Sequence, residues 1–205
     1  MNHFHIYEAI GRGKYSSVYK GRKKKTIEYF AVKSVDKSQK RKVLHEVRML
    51  HSLDHSNVLK FYSWYETPSH LWLVLEYCVG GDLMTLLRQD SQLPEDSIHD
   101  LARDLVRALQ FLHSKGIIYC DLKPSNILLD ENGHTKLCDF GLARKLSDIS
   151  KTPSSMVGCS NCSAFNTLFA EHLTCHKQNA EHPVIWLLNY LRKGVSIRMH
   201  LTFGL

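Results

Sequence analysis

Apolar and polar residues change period along this chain, and each change marks an element. Residues 4–34 alternate with a period near two, in three stretches at 4–10, 18–22 and 26–34. Alternation sends every second side chain to one face, so three half-buried strands are expected there. The period then lengthens. Val43, Leu44, Val47, Leu50 and Leu53 recur at helical spacing, which predicts a helix over 41–53. Residues 58–65 and 70–77 read as two further strands, the second strongly apolar. Asp82 opens a short helix over 82–88, because its side chain can accept from the exposed N–H groups of the first turn.

The longest periodic stretch is 94–115. Pro94 suits its first turn, Glu95 and Asp96 favour its positive end, and Gly116 stops it. Ile98, Leu101, Leu105, Ala108, Leu109 and Leu112 form one apolar stripe, which is core with no chemistry of its own. Two apolar runs, 116–118 and 127–129, bracket a polar loop at 119–126. Glu131-Asn132-Gly133 then turns the chain into a second short strand at 135–138, making a hairpin.

That hairpin concentrates chemistry. Its open ends carry Asn126 and Asp139, so an amide oxygen and a carboxylate converge, a hard-oxygen pair suited to Mg²⁺. Asp121, five residues before Asn126, is placed to take a proton from a hydroxyl nucleophile. Upstream, Gly11 and Gly13 would let a backbone loop approach phosphate oxygens, although a lone glycine pair is commoner in ordinary hairpin turns. This pair lies between strands, so it is neither a dinucleotide-binding fingerprint nor a Walker loop. Lys33, in the apolar run Phe30-Ala31-Val32-Lys33, needs an anion or must snorkel to water. Glu46, bordering the stripe of helix 41–53, would by itself be a solvated helix residue.

Taken together and in order, these residues resemble the protein kinase family. Residues 119–126, Tyr-Cys-Asp-Leu-Lys-Pro-Ser-Asn, followed by Asp139-Phe140-Gly141, resemble H-R-D-L-x-x-x-N and D-F-G. Lys123 marks the serine/threonine version. Gly11 to Val18 resembles G-x-G-x-x-G-x-V, with Ser16 at the third glycine. Leu75 followed by Glu76-Tyr77-Cys78 resembles the gatekeeper and hinge. The resemblance implies an α+β bilobal fold with a complete N-lobe at 4–79 and a truncated C-lobe at 80–155. Residues 156–205 carry no A-P-E motif and read as a divergent tail.

The resemblance also implies a set of roles. ATP and Mg²⁺ would be the cofactors, and Ser or Thr of a protein the substrate. Ile10, Gly11, Arg12, Gly13, Lys14, Tyr15, Ser16, Ser17 and Val18 would cover the phosphates. Lys33 would hold the α and β phosphates, positioned by Glu46. The backbone of Glu76 and Cys78 would bond the adenine edge, and Asn126 and Asp139 would hold the metal. Asp121 would be the catalytic base, and Lys123 would stabilise the moving phosphoryl group. Tyr119 and Cys120 depart from the usual His-Arg pair, and a thiol cannot make Arg's bidentate phosphate contact, which puts control by loop phosphorylation in question. Within the family the chain looks most like the Fused/Unc-51-like group. This implies association with microtubules, a role in cytokinesis, and a cytoplasmic location at the cytoskeleton or phragmoplast. The alternative is an impaired nucleotide-binding or scaffold fragment, suggested by the missing half-lobe and by Tyr119-Cys120.

Composition narrows the partners. The chain has 205 residues, 43% hydrophobic and 23% charged, enough for a core in one or two domains. Its net charge of +7 is spread along the chain, so an acidic partner is permitted and no nucleic acid is expected. The basic run Arg22-Lys23-Lys24-Lys25 reads as a solvated turn or as a contact for such a partner. Cys78, Cys120 and Cys138 stand singly in apolar contexts, which fits a reducing compartment. Neither a basic region backed by an apolar stretch nor a myristoylation glycine opens the chain. Apolar runs such as 184–188 fall far below the ~18 residues of a membrane helix, so no membrane partner is expected. Cys159, Cys162, His172, Cys175 and His176 invite a zinc reading, but the adjacent Cys175-His176 are poorly placed to share one ion, and an unrelated tail is the expected reading.

Overall fold

The computed structural model describes residues 3–90 and 93–149. The zinc reading, the apolar run at 184–188 and the tail at 156–205 lie outside the described residues. Five antiparallel strands open the fold: β1 (Phe4–Arg12), β2 (Ser16–Lys23), β3 (Tyr29–Asp36), β4 (Phe61–Glu66) and β5 (His70–Glu76). Their order across the sheet is β1-β2-β3-β5-β4. Helix α1 (Lys40–Leu50) connects β3 towards β4 and buries Val43, Val47, Met49 and Leu50. These are the strands and the helix that the periodicity predicts over this stretch, with shifted boundaries.

The shifts have physical causes. The helix predicted to Leu53 ends at Leu50, yet Leu53 stays buried because its amide bonds Leu50 O and continues the turn. The strand predicted from Val58 starts at Phe61. Val58 is buried instead through a parallel bridge to Leu137. The strand predicted at 26–34 starts at Tyr29, after a turn in which Lys25 adopts a left-handed φ of 65°.

The chain continues with the short strand β6 (Gly81–Asp82) and helix α2 (Leu83–Asp90). Asp82 caps α2 as expected, accepting from Thr85 N at 2.9 Å and from the Thr85 hydroxyl at 2.8 Å. Helix α3 (Glu95–Ser114) buries the predicted stripe, and Pro94 is its N-cap rather than its first-turn residue. Gly116, at φ +66°, takes the left-handed conformation that ends a helix at low steric cost.

Strand β7 (Ile117–Ile118) leads into the polar loop. Strands β8 (Ile127–Leu129) and β9 (Thr135–Leu137) form the predicted hairpin, with β6 on the other side of β8. Asp130 organises its turn by accepting from the amides of Asn132 and His134, both at 2.9 Å. Strand β10 (Arg144–Lys145) pairs antiparallel with β7. A single apolar cluster runs from Ala31 and Leu75 in the sheet to Leu105, Ile127, Phe140 and Ala143 in the large lobe, so the lobes share packing beneath the cleft. Among the described residues, no helix is long and apolar enough to cross a membrane.

Candidate functional site

A cleft of about 510 Å³ lies between the sheet and the β8–β9 hairpin. Ile10, Val18, Ala31, Leu59, Leu75 and Leu128 give it apolar surface, and Lys33, Glu46, Asn126 and Asp139 line it with polar groups. Its size and mixed lining suit a mostly apolar ring system attached to an anionic group.

On the sheet side, Lys33 sits mid-strand in β3, opposite Val18 and Leu73. Period-two alternation turns it towards α1, where Glu46 occupies the buried face. Lys33 Nζ donates to both Glu46 oxygens, at 2.8 and 2.9 Å, and the two side chains are 16% and 7% exposed. Burial disfavours the ammonium, but the carboxylates of Glu46 and Asp139 outweigh it and hold Lys33 above its ordinary range. The amine is therefore a fixed cation facing the cleft.

On the hairpin side, Asn126 is buried and commits its amide N–H groups to Asp121, at 3.0 Å to the carbonyl and 2.8 Å to Oδ2. The main-chain carbonyl of Asn126 accepts from Cys138 N at 3.0 Å, which ties the two hairpin ends together. Asp139 follows at a left-handed φ of 57°. That twist leaves Asp139 in the cleft while Phe140 turns into the core, fully buried. Lys123 Nζ lies 2.9 Å from Asp121 Oδ2.

Tyr119 underpins this arrangement. It is 1% exposed, its ring meets Phe140 edge-on at 5.2 Å, and its hydroxyl donates to the Cys138 carbonyl. Burial, with Cys138, Asp139 and Asp121 nearby, keeps its phenol well above the ordinary range, so the O–H remains a donor. Burial also pushes the Cys138 and Cys78 thiols up to about 12, so both are inert packing groups at neutral pH.

The structure brings most of the predicted residues together. Ile10, Gly11, Arg12, Gly13, Ser16, Val18, Lys33, Glu46, Glu76, Cys78, Asn126 and Asp139 line the cleft. Lys14, Tyr15 and Ser17 do not. The predicted loop at 10–18 is mostly paired strand, with Gly11 opposite Val18 and Arg12 opposite Ser17. Only a tight turn remains, closed by Gly13 N to Ser16 O at 2.8 Å. Asp121 and Lys123 stand beside the cleft, reaching it through Asn126. Sequence reasoning did not single out Leu59, Leu128, Asp82 and Ser125 as lining residues. Leu59 and Leu128 were visible as apolar positions next to named ones, but Ser125 carried no separate signal.

Comparison with known proteins gives a consistent result. The protein kinase domain matches residues 4–180, past the point where the sequence motifs stop. The chain is 80% identical over 155 residues to serine/threonine-protein kinase RUNKEL of Arabidopsis thaliana, covering 76% of this chain and 11% of that protein. It is 45% identical over 144 residues to serine/threonine-protein kinase ULK4 of Mus musculus, covering 70% and 11%. It is 39% identical over 163 residues to mouse serine/threonine-protein kinase 36, covering 77% and 12%. The chain thus spans about a tenth of the length of these relatives.

Proposed function

The chain belongs to the protein kinase family, and from that premise we propose that its cleft transfers the terminal phosphoryl group of ATP to serine or threonine hydroxyls of protein substrates. One observation carries this reading. Lys33, braced by Glu46, faces Asp139 and Asn126 across one cleft, with Asp121 hydrogen-bonded to Asn126. A cation for phosphates, two oxygen donors and a carboxylate near a polar loop are the groups that phosphoryl transfer uses.

The small lobe, 4–79, positions the nucleotide, and the region from 80 to 155 supplies the catalytic groups. The apolar walls would take the adenine, and the backbone of Glu76 and Cys78 would be the partner of its edge. Lys33 would hold the α and β phosphates, with residues 10–18 covering them. The donor set of one carboxylate and one amide oxygen fits Mg²⁺, which prefers hard oxygen ligands and would be held by Asp139 and Asn126. When bound, that ion offsets phosphate charge. Asp121 orients the substrate hydroxyl and takes its proton. Lys123, paired with Asp121 before substrate binds, stabilises the transferring group.

Tyr119 removes one ground for a catalytically impaired fragment, since its hydroxyl and ring keep the polar loop joined to the strand that leads into Asp139. Association with microtubules, a role in cytokinesis and a cytoplasmic site at the phragmoplast rest on the kinase-group resemblance alone. Co-sedimentation with polymerised tubulin tests the first of these.

For the central reading, the chain is incubated with Mg-ATP and a generic basic protein substrate. Transfer is expected, and Asp121→Asn should lower it by about 10²–10⁴-fold with nucleotide affinity retained. Nucleotide binding without transfer by the parent chain would overturn the reading.

A further inference from the structure

Behind the cleft a second ion pair joins the two lobes. Lys136, the middle residue of β9, points away from the buried Thr135 and Leu137. Its ammonium lies 2.8 Å from Glu76 Oε1, and the two side chains are 11% and 24% exposed. The same Nζ donates to the Ser56 carbonyl at 2.9 Å. Glu76 Oε2 accepts from the backbone amide of Lys60 at 3.0 Å, while the Glu76 amide donates to Lys60 O at 2.9 Å.

One ammonium therefore ties three segments together: the large-lobe hairpin, the strand end at Glu76 where the lobes join, and the loop that follows α1. That loop is itself stitched to β9. Asn57 Nδ2 donates to Thr135 O at 3.0 Å, Leu137 N donates to Asn57 O at 2.9 Å, and Leu59 N donates to Leu137 O at 2.9 Å. Glu76, Tyr77 and Cys78 line the cleft on the other side of this junction.

We propose that Lys136 is a positioning residue for the nucleotide site, setting the lobe-joining segment at Glu76 through its contacts with Glu76 and Ser56 O. The inference rests on the nucleotide-binding reading above and adds to it a residue outside the cleft. Without the ammonium, Glu76 keeps only the Lys60 amide, and Ser56 O loses this donor. The backbone at 76–78 then samples a wider range of positions, and a bound nucleotide must select the competent one.

The test is titration calorimetry of the parent chain, Lys136→Met and Lys136→Arg with Mg·ADP, which reports affinity and stoichiometry separately. Lys136→Met is expected to weaken binding on the order of five- to tenfold at unchanged stoichiometry. Lys136→Arg, which keeps the charge and can donate to both partners, should restore most of the affinity. A role confined to fold stability would lower stoichiometry and leave the affinity of the folded fraction unchanged, and that result overturns the proposal. Equal affinity in all three proteins also overturns it, while leaving the phosphoryl-transfer reading intact. A parent chain that binds no nucleotide overturns both.

Discussion

Removing the Lys33 ammonium should destabilise the protein far more than the net strength of its ion pair suggests. At 2.8 Å and an effective dielectric near 20, the Lys33–Glu46 attraction is about 6 kcal/mol. Desolvating two ions costs several kcal/mol each, so the intact pair contributes little net stability. Breaking it differs in kind. Lys33→Met leaves a carboxylate that is 7% exposed without its counter-ion, at a cost of about 3–5 kcal/mol. Glu46→Leu strands the lysine, which is 16% exposed and reaches the cleft, so its loss is smaller, about 2–3 kcal/mol. Combining the two removes both charges, and an apolar pair of similar volume should recover most of the deficit. The double-mutant cycle is therefore expected to give a coupling of about 2 kcal/mol or more. Urea unfolding followed by circular dichroism measures it, with the midpoint of Lys33→Met falling by roughly 1.5–2.5 M for an m-value near 2 kcal/mol/M. Additive single losses, or a Lys33→Met loss under about 0.5 kcal/mol, would show that the pair is not desolvated as described.

Two further outcomes follow from the same geometry. Cys78 and Cys138 are raised to about 12 and Lys33 is raised, so in each case the folded chain holds its proton more tightly than the unfolded one. Stability is then complete below the ordinary thiol pKa and falls as pH rises from about 9, by up to about 1.4 kcal/mol per pH unit for each thiol. Urea midpoints at pH 7.5, 9 and 10 should show this decline, and Cys138→Ala should reduce it, leaving the share of Cys78. Gly80→Ala is expected to cost about 1–3 kcal/mol, because the added Cβ would lie 2.7 Å from Leu129 Cβ and 3.0 Å from Leu129 O. Thermal unfolding of that variant reads the loss directly.

The sequence was legible where chemistry and spacing coincide. Lys33 and Glu46 are separated by a strand end and a helix start, and a period-two strand facing a period-3.6 helix leaves few ways to orient them. Asn126 and Asp139 were readable because an Asn-Gly turn fixes which ends of a hairpin meet. Boundaries were less legible, since apolar spacing does not separate a helix from a buried turn. Leu53 and Val58 fit the periodic patterns but are buried by a turn and by an isolated bridge to Leu137. The glycines of residues 10–18 point to a loop, whereas backbone pairing with β2 extends β1 as far as Arg12. Contacts between distant segments had no local signature. Lys136 to Glu76 and His45 Nε2 to Ala143 O, at 2.7 Å, are set by the packing of one lobe on the other.

Tyr119 and Cys120, the paired departures from the family pattern, have separable consequences. Tyr119 fills a fully packed site and donates to the Cys138 carbonyl, so the link between the polar loop and Asp139 survives the change of side chain. Cys120 stands at a left-handed φ of 65°, and its thiol contacts the Ile118 carbonyl at 3.7 Å. Asp121 is held from other directions, by Lys123 and by the buried amide of Asn126. Its placement therefore does not depend on a cation at position 120. The segment after Gly141 is likewise anchored by main-chain groups: β10 pairs with β7, Leu146 N donates to Gly116 O at 2.8 Å, and His45 reaches Ala143 O. Among the described residues, 143–146 are thus held by backbone pairing and by one histidine of α1. Cys120 itself offers no planar cation for a bidentate phosphate contact.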